Sequence, residues 1–94
     1  MKNISYTPAE TGWIPYWEEA LRGYLEDGTD PGGFLTAILE NNLTESVIKA
    51  DVHNLILIPK IVQWLLAEAP RLSWGSPTRV KAWIEDCQYK REVK

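Results

Sequence analysis

Only one run of the chain, LILI at residues 55–58, is short, apolar and isoleucine-rich enough to read as a buried strand. A strand presents unpaired N–H and C=O groups along both edges and needs a neighbour, and no second run of that kind exists to pair with it. Every other periodic segment repeats its apolar residues three and four positions apart, the spacing of one helix face. The chain is therefore expected to be all-α, a compact single-domain bundle of about five helices joined by short connections.

Residues 1–12 read as extended or loosely ordered, with Pro8 and Gly12 as breakers, residues 13–90 as the helical domain and 91–94 as a frayed tail. The first helix is expected over about 15–27, with Glu18 and Glu19 favouring its N-terminal dipole and Gly28 as a left-handed stop. Asp30 as N-cap and Pro31 as first helical residue would open a second helix ending near Asn41 and Asn42. Thr44 would cap a short third helix with Val47 and Ile48 turned inward and Glu45 paired with Lys49 outside. Asp51 would cap the fourth, whose apolar residues cover most of its circumference and mark it as the most buried helix, kinked or restarted at Pro59. Ser76 would cap the last, which starts at Pro77 and carries Val80, Trp83, Ile84 and Cys87 on one face. On the first helix, Trp13, Tyr16, Trp17, Ala20, Leu21, Tyr24 and Leu25 make a broader apolar arc than one core contact requires, so a homo-oligomer buried along that arc is expected.

Composition narrows the function. The net charge of −3 is wrong for general nucleic-acid binding, which needs a basic face to neutralise phosphates. Cys87 is the only cysteine, so no intramolecular disulfide forms, and with no secretory leader and no membrane-length apolar run a cytoplasmic protein is expected. No zinc spacing occurs, and neither a metal nor a cofactor is expected. The only histidine, His53, sits near Asp51 without a nucleophile elbow, and the carboxylate pairs at 18–19, 26–27 and 85–86 are adjacent helical positions about 100 degrees apart. No catalytic residue is assigned, and the chain is not expected to be an enzyme.

Two helix openings remain. A helix start exposes backbone N–H groups and the positive end of the dipole, and glycine there lets an anion approach. DPGGF supplies Gly32, Gly33 and Phe34. SWGSPTRVKAW supplies Trp74, Ser76, Arg79 and Lys81, with Arg71 just before, inside a window from Glu68 to Glu85 that contains no acidic residue between them. These eight residues are the candidate ligand site: Gly32, Gly33, Ser76 and Arg79 on phosphate, Arg71 and Lys81 adding charge, Trp74 or Phe34 stacking on a ring.

At DPGGFLTAILENNL, KADVHNLILIPKIVQWLLAEAP and SWGSPTRVKAWI the sequence resembles a group of small, mostly uncharacterised phage and prophage accessory proteins with PPGGFLTAVL-like and WGSPEKVKAW-like segments. The likeness runs over about residues 13–84 and departs at Asp30, where proline is usual, and at Thr78, where glutamate is usual. It implies a phage gene product working inside an infected bacterium, where proteins of this size are commonly counter-defence factors. The reading preferred on this basis is a non-catalytic sponge for a nucleotide immune signal of cyclic oligonucleotide or cyclic ADP-ribose type. The alternatives are an anti-CRISPR-like inhibitor of a host defence protein, meeting a basic partner through Glu18, Glu19, Glu26 and Asp27, and an unrelated phage accessory interaction protein.

Overall fold

The computed structural model describes residues 14–92. Among them the chain is all-α, with helices α1 (Tyr16–Asp27), α2 (Gly33–Leu39), α3 (Leu43–Lys49), α4 (Val52–Glu68) and α5 (Pro77–Glu92), and a 3-10 turn at Arg71–Ser73 between α4 and α5. The segment 1–12 and Trp13 lie outside the described residues, as do residues 93 and 94. α5 runs through Arg91 to Glu92, two residues into the stretch expected to fray.

α1 begins where the carbonyl of Pro15 accepts the N–H groups of Glu18 and Glu19, both at 3.1 Å. It ends as expected at Gly28, whose φ of 72° lets its N–H return to the carbonyl of Tyr24 at 2.9 Å. Among the described residues of its apolar arc, Trp17, Leu21 and Tyr24 are buried, Ala20 and Leu25 are partly buried against them, and only Tyr16 is left largely exposed. The three buried residues join Leu35, Ile38 and Leu39 from α2, Ile61, Trp64 and Leu65 from α4 and Val80 from α5 in one core. Burying each such side chain stabilises the fold by about 1.5–3 kcal/mol. Trp17 meets Trp64 edge-on, with ring centroids 6.1 Å apart, and Arg22 lies over the Trp64 ring at 5.4 Å.

Most of the described arc on α1 is therefore covered within the chain itself, which removes the excess of apolar surface from which a second chain was expected there, while Trp13 of that arc lies outside the described residues. Three corrections follow from local geometry. α2 starts at Gly33 rather than Pro31, because the Asp30 carboxylate turns back to accept the Gly32 N–H at 2.9 Å and Gly32 takes a φ of 100°. A helix cannot begin until that reversal is complete. α3 is capped by Asn42, which accepts the Glu45 N–H at 3.1 Å, rather than by Thr44. Packed against α2, the helix turns Ser46 inward, fully buried, and leaves Val47 and Ile48 exposed, because tertiary packing and not the cap sets which side faces the core.

The third concerns α4. Asp51 caps it as expected, accepting the Asn54 N–H at 2.7 Å, and the helix continues through Pro59 without restarting. It is not the most buried helix, since only Ile61, Trp64 and Leu65 are buried, all in its second half. At 1.5 Å per residue its 17 residues span about 25 Å, whereas α2 and α3, of 7 residues each, span about 10 Å and are too short to cover it.

Candidate functional site

The connection from α4 to α5 is bolted down at several points. Ser73 is fully buried, its hydroxyl donates to the carbonyl of Pro70 at 2.6 Å, and its own carbonyl accepts the phenol of Tyr24 at 2.7 Å. The N–H of Gly75 donates to the carbonyl of Leu39 at 2.7 Å, tying the loop to the end of α2. Gly75 has a φ of 119°, which a side chain resists, and a Cβ there would stand 3.0 Å from Nη1 of Arg79. Ser76 then caps α5 by accepting the Arg79 N–H at 3.1 Å.

This loop gathers three of the eight predicted site residues. Arg71, Trp74 and Arg79 line a hollow of 390 Å³ together with Asn41, Leu65, Leu66, Ala69 and Gly75. Its lining holds two guanidinium groups and no carboxylate, so it is positive on a protein of net charge −3. Arg79 directs Nη1 at the carbonyls of Arg71 and Trp74, 3.4 and 3.3 Å away, which orients the guanidinium and leaves Nε and Nη2 for another acceptor. Among the described residues the ion pairs are Arg22–Glu18, Lys49–Glu45 and Lys90–Asp86, so neither Arg71 nor Arg79 is neutralised by an acid. Trp74 is half-buried, one part against the core and one part on the hollow. Asn41, Leu65 and Leu66 come from other elements, and no pattern in the loop sequence points to them.

The other predicted residues sit elsewhere. Gly33 and Lys81 line a larger open groove of 890 Å³ between α2, α3 and α5, which also receives Lys49. Its acidic lining is Asp30, Glu40, Glu45 and Glu85, four carboxylates against two ammonium groups, a balance that disfavours phosphate. The separation is a matter of helix phase: Arg79 and Lys81 are two residues apart on α5 and point about 200 degrees apart around its axis. Gly32 is exposed with its N–H already held by Asp30, Phe34 packs against the core, and the Ser76 hydroxyl accepts the cap bond.

The acidic face expected on α1 is also smaller than expected. Glu18 is 1 % exposed, with one carboxylate oxygen receiving Nε and Nη2 of Arg22 at 2.8 and 2.7 Å, so only Glu19, Glu26 and Asp27 face outward. Among the described residues no three His, Cys, Asp or Glu side chains are grouped to hold a metal ion, and no helix is long and apolar enough to cross a membrane. Against known proteins, no family model matches this chain, and neither curated proteins nor solved structures provide a match.

Proposed function

We propose that this protein is a non-catalytic binding protein for an anionic, ring-bearing ligand of nucleotide type, held in the hollow of Arg71, Trp74 and Arg79. The observation that supports this reading is the convergence of two acid-free guanidinium groups and an indole where a loop pinned to both α1 and α2 meets the start of α5. Guanidinium forks suit phosphate, and an aromatic face suits a base or other ring. The hollow falls within the size range of small-ligand sites, and pre-ordering of its loop lowers the entropy lost on binding. Combined with the resemblance to phage accessory proteins, this makes a sponge that lowers the free concentration of a nucleotide signal in the cytoplasm of the infected host the reading favoured here. Gly32, Gly33, Phe34, Ser76 and Lys81, assigned to the ligand from sequence, are left outside this narrower site.

The test is a thermal-shift and calorimetry panel of cyclic di- and trinucleotides, ADP-ribose derivatives and inorganic pyrophosphate. A genuine ligand at a hundred times its dissociation constant adds about 2.7 kcal/mol of apparent stability. Arg71→Ala and Arg79→Ala each weaken binding tenfold or more, on the scale of one charge-assisted hydrogen bond, whereas Lys81→Ala, on the opposite side of α5, leaves it unchanged. A flat response across the panel, or equal losses from Lys81→Ala and Arg79→Ala, would overturn the proposal.

A further inference from the structure

The first half of α4 is apolar nearly all round and yet unburied. Between Val52 and Lys60 no residue is fully buried, although LILIP occupies five of those positions; Leu57 and Ile58 are partly covered against the core, and the other apolar residues of that half face out. A helix with apolar residues on every side is ordinarily covered. Val52 is 74 % exposed, Leu55 46 % and Ile56 73 %, and the adjoining α3 adds Leu43, Val47 and Ile48 at 67, 44 and 67 %. We propose that this α3–α4 corner is the surface on which two copies of the chain meet about a two-fold axis.

Area and charge both favour a second copy over a charged partner. Six side chains of this size and exposure present on the order of 600 Å². Covered completely by the same face of a copy they bury at most roughly 1,200 Å², which just reaches the lower bound of a stable specific interface. The acidic groups at the corner are engaged within the chain, Glu45 with Lys49 at 3.6 Å and Asp51 as the cap of α4, and Lys60 and His53 stand at its margin. An acidic chain that associated through its carboxylate-bearing faces would repel its copy, whereas this corner brings apolar surface to apolar surface, as a self-complementary two-fold contact requires. The proposal is independent of the ligand hollow, which α4 borders at its far end through Leu65 and Leu66.

Sedimentation or light scattering of the full chain over a range of concentrations tests it. A species of twice the 10.8 kDa chain mass is expected. Val52→Asp and Ile56→Asp each weaken self-association about 100-fold, the scale of an interface hot spot, with helicity and melting of the monomer unchanged because neither side chain packs in its own fold. Leu66→Asp, equally exposed but on the other half of α4, leaves the dimer intact. A wild-type chain that stays monomeric at several hundred micromolar overturns the proposal, whether the corner is then covered by residues 1–13 or by another protein. So does a dimer that withstands both α4 substitutions.

Discussion

The phenol of Tyr24 donates to the carbonyl of Ser73 at 2.7 Å, joining the middle of α1 to the α4–α5 loop 49 positions later in the chain. The carbonyl of the same tyrosine accepts the indole N–H of Trp83 at 3.2 Å, so one fully buried residue aligns α1, the loop that carries Arg71 and Trp74, and α5. Tyr24→Phe strands the Ser73 carbonyl in the interior. The expected cost is about 1–3 kcal/mol, the usual penalty for a buried group left without its partner, and denaturant unfolding measures it.

That tyrosine also sets an alkaline limit. Burial, reinforced by the charges of Cys87 and Glu40, pushes the Tyr24 phenol well above its ordinary value of 10.0. Below about pH 10 the group is neutral in both folded and unfolded chains and adds no pH dependence. As pH rises past that point the unfolded chain ionises first, so stability falls. Unfolding curves at pH 8 and pH 11 should show a larger alkaline loss for the wild type than for Tyr24→Phe.

Gly32 and Gly33 separate a backbone requirement from a packing one. Gly32 has φ 100° and ψ 162°, a region essentially reserved for glycine, with open space around it. Gly32→Ala should cost about 1–3 kcal/mol through strain alone. Gly33 is an ordinary helical residue whose added Cβ would stand 3.3 Å from Cδ of Lys49, a flexible side chain that can give way. Gly33→Ala should therefore fall within about 0.5 kcal/mol of wild type. Thermal melts of the two variants distinguish the cases.

Arg22 compensates Glu18, one of whose carboxylate oxygens is buried without a hydrogen bond. Arg22→Ala leaves that carboxylate unpaired and strips a cation from the Trp64 ring. The loss should reach about 2 kcal/mol, below the 3–5 kcal/mol of a fully buried pair because Arg22 is half-exposed. Adding Glu18→Gln should recover part of it, and a double-mutant cycle in urea reads the coupling.

Pro59 sits inside α4, exposed, where it withholds one backbone donor. Pro59→Ala restores the donor and should raise stability by about 1–3 kcal/mol, given the penalty proline carries in a helix interior. A fall in melting temperature would mean that the helix relies on the proline to set the direction of its exposed half.

The helices themselves were legible in the chain, because the signals that make them are local. Gly28 ends α1, Asp51 caps α4 and Ser76 caps α5 through contacts spanning at most four residues. Three members of the candidate site, Arg71, Trp74 and Arg79, were legible for the same reason: they lie within nine positions of one another in a stretch without acids. Where expectation failed, a competing local bond or a distant contact decided. Asp30 turned onto Gly32 instead of capping a helix, and Asn42 took the cap expected of Thr44.

Which apolar residues are buried was not a local matter. The arc of α1 and the girth of α4 look alike in sequence, yet Trp17, Leu21 and Tyr24 are covered while Val52 and Ile56 stand in the open. By itself the amino-acid order determined helix formation, approximate ends and an uneven distribution of charge, since each depends on neighbours a few positions away. Only the packing decided that Arg79 and Lys81 face different hollows and that half of α4 outruns the core, because helix phase and relative helix length act solely once the pieces are assembled.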